Sequence, residues 1–300
     1  MTTIPGGPTR PHPAADTGLP APETAPLAGA RAQVVLPDES ADADPRRILD
    51  LARRAEELGY DAVWLPDHLL PPAEYGPVYG GAHEPLVTLA AVAAVTGRIR
   101  LGTSVLVLPL RDPFLVAKQT ATLERLAPGR VVLGVGAGWE AAEFAALGAD
   151  FTGRGARTDD ALRLIRHLHT VGRGPFEETR YAFRTGVFAP IPTAPVPVMV
   201  GGVSDAALRR AARFGDIWQS VGLPPETFRT RLAALRAHTS RRIEAGARLS
   251  WPGARRAADV AAEARAFAAA GAGHVAVWFG PLDGFDDRMT AFARTAGLGG

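Results

Sequence analysis

Between Ile99 and Trp139 the chain runs apolar, then amphipathic, then apolar again. IRLGTSVLVLP and RVVLGVGAGW are almost unbroken apolar runs, and LVAKQTATLERL between them has the mixed pattern of a surface helix. A strand buried on both faces shows a continuous Val/Leu/Ile run, so the segment predicts two strands of a parallel sheet covered by helices. Ligands of such sheets bind beyond the carboxyl ends of the strands. Here those ends carry Ser104 and the turn Gly136-Ala137-Gly138.

A helix, a glycine and a strand ending near an aromatic residue recur along the chain. The pattern appears as LARRAEELGYDAVWL (51–65), LRRAARFGDIWQ (208–219) and ARAFAAAGAGHVAVWF (264–279). The glycine stands where a helix C-terminus needs left-handed backbone, and β-branched residues follow within a few positions. Strands are predicted at 32–36, 61–66, 99–107, 130–135, 197–201, 215–220, 247–251 and 273–279. The helices between them fall at 44–58, 85–95, 113–126, 139–147 with 156–171, 204–213, 225–238 and 255–270. About eight βα units in about 270 residues fit an α/β fold of one (β/α)8 TIM barrel better than an open sheet. The strand at 247–251 has the weakest pattern. Residues 172–192, with Tyr181, Phe183, Val187 and Phe188 among Gly and Pro, read as a small hairpin-like insertion before strand five.

Composition narrows the function. Of 300 residues 47% are hydrophobic, enough for a large core, and the absence of cysteine excludes disulfides, zinc-thiolate sites and thiol nucleophiles. A net charge of +2, with basic residues spread over helices, argues against a nucleic-acid partner. Without a long uncharged apolar run no membrane span is expected. Residues 1–29 are rich in Pro, Ala and Gly, lack a signal-peptide core and predict a disordered tail. The expectation is a cytoplasmic protein with its barrel domain over 30–300.

The candidate chemistry lies at strand ends. Asp67 and His68 leave the second strand; the imidazole can exchange protons near neutral pH and the carboxylate can tune or orient it. Alternatively, Asp67 caps the next turn and His68 only packs. The long loop through Pro85 offers Tyr75, Tyr79 and His83 to a substrate. Gly136, Ala137 and Gly138 form a turn that backbone can bring close to a ligand. Its spacing is not that of a dinucleotide fingerprint. Glu143, one turn into the next helix, reads as structural, binding loop amides or Arg157. Gly201, Gly202 and Ser204 open another helix, as an anion site or as an ordinary N-cap. No metal site is expected.

Four motifs in order resemble the bacterial luciferase-like flavin monooxygenase superfamily, in particular its coenzyme F420-dependent branch. They are LARRAEELGYDAVWLPDH, RIRLGTSVLVLPLRDPFLVAKQTATLERL, GRVVLGVGAGW with Glu143-Phe144, and PVPVMVGGVSDAALRRAARFGD. The resemblance is strong over 31–220 and weaker beyond. It implies that Asp67 and His68 lie near the reactive ring, with His68 handling a proton. It implies a non-prolyl cis peptide at Ser104-Val105 behind the ring. Gly136, Ala137 and Gly138 would follow the cofactor side chain, and Gly201 and Gly202 its phosphate.

The chain departs from relatives that oxidise sugar phosphates. Leu69, Leu70, Pro71 and Pro72 stand where those have a tryptophan, and Lys118 is the only lysine among 33 basic residues. Their acidic residue after strand one has no clear counterpart, although Asp38 and Glu39 lie nearby. An apolar or aromatic small molecule is the better substrate. The expected activity is hydride transfer with coenzyme F420. An FMN-dependent monooxygenase is the alternative, and the intact Asp67-His68 pair counts against a catalytically silent relative. The resemblance also implies a homodimer.

Overall fold

The computed structural model describes residues 27–37, 44–178 and 180–298. Of the tail expected over 1–29, residues 1–26 lie outside the described residues, as do Asp38 and Glu39, whereas Leu27 is buried in the core at 2% exposure, which corrects the boundary. The first half contains β1 (Arg31–Val35), α1 (Pro45–Glu57), β2 (Ala62–Leu65), α2 (Gly76–Tyr79), α3 (Pro85–Val95), β3 (Arg100–Thr103), β4 (Leu106–Val107) and α4 (Pro113–Leu126). Next come β5 (Val131–Gly136), α5 (Ala141–Ala146), α6 (Arg154–Thr170), β6 (Val198–Gly201) and α7 (Asp205–Phe214). The chain closes with β7 (Ile217–Val221), α8 (Pro225–Ala237), β8 (Glu244–Ser250), α9 (Ala257–Ala269), β9 (His274–Trp278) and α10 (Phe285–Thr295).

Local chemistry starts the helices where they are needed. Asp44 and Asp112 cap α1 and α4 by accepting from Arg46 N and Leu115 N, and Pro45 and Pro113 occupy the first turns. Such caps contribute about 1 kcal/mol each. The strand pairings are parallel, running β3-β2-β1-β9-β8-β7-β6-β5, and a β3–β5 pairing closes the ring. Eight strands thus form the (β/α)8 barrel, with the short β4 pairing β5 beyond the closure.

The strand expected at 99–107 is therefore broken in two. Leu101 lies opposite Val131 and Leu106 opposite Val135, which leaves one residue more on the β3–β4 side than on β5. That extra residue makes a bulge. It falls at Ser104–Val105, whose peptide bond is cis. The strand expected at 247–251 starts earlier, at Glu244. Its sequence EAGARLS carries Glu244, Gly246 and Arg248 and a single large apolar residue, Leu249, which hides the apolar pattern. The insertion is hairpin-like: Phe176 and Phe183 exchange backbone hydrogen bonds of 2.8 and 2.7 Å.

Burial falls into two layers. Between strands and helices, residues such as Val63, Leu133 and Val275 pack against Ile48, Leu89, Leu164 and Leu232. Each such side chain contributes about 1.5–3 kcal/mol. Inside the ring, Val35, Ala62, Trp64, Val132, Met199, Ile217 and Ala276 form a separate cluster, with Val105 and Trp278 packed against it.

The N-terminal mouth of the ring is charged. Arg31, Arg100, Glu244 and His274 are first residues of their strands, and Asp61 directly precedes β2. Arg31 pairs with Glu244 and, at 3.3 Å, with Asp61; Arg100 also pairs with Asp61. His274 Nδ1 lies 2.7 Å from Glu244. Burial disfavours the Glu244 carboxylate, but the bonds from His274 and Arg31 outweigh it and bring its pKa down to about 2.

Candidate active site

The C-terminal mouth is built differently. β2 ends at Leu65, and Pro66 carries the chain out to Asp67 and His68. The Asp67 carboxylate is 3% exposed and both oxygens are engaged. Oδ2 accepts from Val107 N at 2.8 Å and Arg111 Nε at 3.1 Å, and Oδ1 accepts from Arg111 Nη2 at 2.6 Å. Arg111 Nη1 continues to Glu84 at 2.7 Å, and Glu84 caps α3 through Val87 N. Burial alone would lower the Arg111 pKa, and Asp67 with Glu84 more than offsets it, so the guanidinium lies above its ordinary value. Asp67 thus ties the strand end to β4 and α3.

Contrary to expectation, the adjacent carboxylate does not orient His68. Asp67 is turned to Arg111 and the end of β4, and the partner of His68 is Glu143. His68 Nδ1 lies 3.0 Å from Glu143 Oε2. Glu143 Oε1 accepts from Leu69 N at 2.7 Å and Leu70 N at 2.9 Å. Of the two partners expected for Glu143, loop amides or Arg157, it binds the loop amides; Arg157 reaches Pro109 O instead. The imidazole stacks on Tyr79 with centroids 4.7 Å apart and meets the edge of Trp139 at 6.0 Å. Tyr75 meets the same indole at 5.0 Å. With Trp139 52% exposed, these rings form an aromatic wall open to solvent beside His68.

The bulge is gripped from across the barrel. Ser104 Oγ donates to Gln219 Oε1 at 2.6 Å, and Arg248 Nη1 donates to Ser104 O at 3.0 Å. The Val105 side chain fits between two glycines: a Cβ on Gly136 or on Gly201 would stand 2.6 Å from it. Gly138 and Gly202 have φ of 78° and 116°, in the left-handed range that favours glycine. Ala137 is half-buried between Gly136 and Gly138. Ser204 caps α7, accepting from Ala207 N at 3.2 Å. Trp64 and Trp218 are packing residues at 1% and 0% exposure.

Gln219, Arg248 and Trp139 were missed from sequence. Only Gln219 left a signal, as a polar residue inside the apolar strand IWQSV. Of the four buried side-chain nitrogens without a hydrogen-bond partner among the described residues, Gln219 Nε2 and Trp278 Nε1 belong to strands β7 and β9 near this mouth; the others are Arg231 Nε and His274 Nε2. No group of His, Asp or Glu among those residues is arranged to hold a metal ion, and no helix among them is long and apolar enough to cross a membrane.

A closed parallel barrel whose strand ends carry an imidazole, a backbone bulge and glycine turns defines a TIM-barrel enzyme class. Within it, the luciferase-like monooxygenase family profile matches residues 22–294, and the chain belongs to that family. An uncharacterized protein of Mycobacterium tuberculosis is 38% identical over 191 residues, which are 59% of this chain and 66% of that protein. An F420-dependent glucose-6-phosphate dehydrogenase of Kineococcus radiotolerans is 41% identical over 176 residues, 57% of this chain and 51% of the relative. The matches thus span between half and just under two thirds of these relatives. Among solved structures, an F420-dependent secondary alcohol dehydrogenase bound to an F420-acetone adduct superposes with a TM-score of 0.72 at 19% identity, covering 89% of this chain and 99% of that one. A monooxygenase of Streptomyces bottropensis reaches 0.71 at 22% identity, covering 88% and 97%. At these identities the two structures speak for the fold.

Proposed function

We propose that the protein is an oxidoreductase that moves a hydride between coenzyme F420 and a small apolar or aromatic organic substrate. The observation that carries this reading is His68, held at the same mouth as the Ser104–Val105 bulge and the glycine turns of β5 and β6. The F420-dependent names of relatives and of a structural neighbour favour the same cofactor. The residues fit such a group. Ser104-Val105 would back its ring, Gly136, Ala137 and Gly138 would follow its side chain, and Gly201, Gly202 and Ser204 would take its phosphate at the start of α7. Gln219 Nε2 and Trp278 Nε1 are buried donors lacking an acceptor, and a heterocycle rich in carbonyl and ring-nitrogen acceptors would match them.

When bound, the cofactor supplies the hydride chemistry; the barrel supplies position and electrostatics. His68 takes the hydroxyl proton of a substrate alcohol, or returns it to a carbonyl oxygen in the reverse direction. Asp67, with both oxygens engaged, holds the bulge and the loop in register beside it. The aromatic wall of Tyr75, Tyr79 and Trp139, with the exposed Leu69 and Leu70, favours an apolar or aromatic substrate. A sugar phosphate fits poorly. The single lysine, Lys118, is engaged by the insertion, donating to Ala189 O at 2.7 Å and lying 4.0 Å over the Phe188 ring.

The family itself favours a second reading, an FMN-dependent monooxygenase in which the same mouth shelters a reduced flavin from water. Titrating the protein with coenzyme F420 and with FMN, followed by cofactor fluorescence, separates the two. Binding of F420 is expected, and FMN binding without an F420 response would overturn the first reading. The proposal includes a cytoplasmic homodimer; a monomer mass by light scattering would remove the assembly part.

A further inference from the structure

We propose that Glu143 is the positioning residue that fixes which nitrogen of His68 exchanges the proton. The inference rests on the hydride-transfer reading above and adds to it a residue and a tautomer. Glu143 is 2% exposed and lies in the first turn of α5, against the loop that carries His68. Its Oε1 accepts from the amides of Leu69 and Leu70, the two residues after His68, which leaves Oε2 facing His68 Nδ1 at 3.0 Å. One carboxylate therefore holds both the backbone beyond the imidazole and the imidazole itself.

The tautomer follows from this arrangement. A carboxylate only accepts hydrogen bonds, so Nδ1 must carry the hydrogen, and the neutral ring keeps its lone pair on Nε2. Nε2 is then the base for a substrate hydroxyl, and the imidazolium formed on protonation sits beside a buried negative charge. In the reverse direction Nε2–H is the acid. Tyr79 stacks on the ring and Trp139 packs roughly perpendicular to it, and the Glu143 contact keeps Nδ1 on the side of the carboxylate. Asp67 cannot serve in this role, because Arg111 and Val107 N engage both of its oxygens.

Glu143→Gln turns the proposal into a tautomer switch. The Leu69 and Leu70 N–H groups both need an acceptor, so the carboxamide oxygen stays with them and the NH2 faces His68. Nδ1 becomes the acceptor and the hydrogen moves to Nε2. The readout is 15N NMR of the full chain labelled at histidine, without cofactor, with His68 assigned by the signal lost in His68→Gln. At a pH where the ring is neutral, wild type is expected to show a protonated Nδ1 and a bare Nε2, and Glu143→Gln the reverse. A wild-type ring protonated at Nε2 overturns the proposal even if the variant fails to fold. A folded variant that keeps its proton on Nδ1 overturns it too. The F420 titration of wild type and variant is read separately. Absence of F420 binding counts against the hydride reading, whereas an unswitched tautomer counts against Glu143 alone.

Discussion

The two mouths of the barrel hold similar numbers of charges and use them in opposite ways. At the N-terminal end, Arg31, Asp61, Arg100, Glu244 and His274 pair side chain to side chain. At the C-terminal end, Asp67 and Glu143 bind backbone amides, and each additionally takes one cationic or ionisable ring partner. Side-chain pairing neutralises charge and closes the ring. Pairing with backbone amides fixes a side chain relative to the chain trace, and so holds an imidazole where it can exchange a proton.

The largest effect is expected at His68. His68→Ala is expected to lower turnover by about 10²–10⁴-fold while cofactor affinity stays within a few-fold. Steady-state rates on a panel of aryl alcohols and ketones measure this; unchanged turnover would make His68 a packing residue. Asp67→Asn addresses the structural part of the same mouth. It leaves Arg111 buried at 11% side-chain exposure without its main counter-charge, and a loss of about 3 kcal/mol in chemical unfolding is expected. A loss near zero would mean that the clamp on β4 does not hold the mouth together.

Glu244→Gln tests the opposite end, with stability lowered by about 2 kcal/mol at neutral pH once solvent screening is allowed for. The Glu244 pKa is depressed to about 2 from an ordinary 4.5. Its contribution is therefore present above about pH 4.5 and is lost as pH falls toward 2. Unfolding curves of the two proteins should converge over that window, and a pH-independent difference would contradict the pairing. The smallest effect is expected from Trp139→Ala, a rise in KM of roughly 3–30-fold for aromatic substrates with no change in stability, since about half of the indole is solvent-exposed. An equal rise for a small aliphatic alcohol would remove the aromatic wall from substrate selection.

What could be read from the sequence was local in origin. Apolar runs and helix-ending glycines reflect burial on both strand faces and left-handed backbone, and these mark βα units wherever they lie in space. That is why the barrel, the insertion and the position of Asp67 and His68 at a strand end were legible. The pattern failed where a strand carried only one large apolar residue, Leu249 in β8, and where one extra residue at Ser104–Val105 interrupted an apolar run without changing its composition.

Which side chains meet was decided by the tertiary structure alone. His68 and Glu143 are 75 residues apart, Ser104 and Gln219 are 115, and Ser104 and Arg248 are 144. No periodicity links positions so distant; closure of the ring brings them to one mouth. The sequence by itself determined the units and the chemical groups at their ends. Ring closure decided that Asp67 faces Arg111, that Glu143 faces His68, and hence which imidazole nitrogen is left for a substrate.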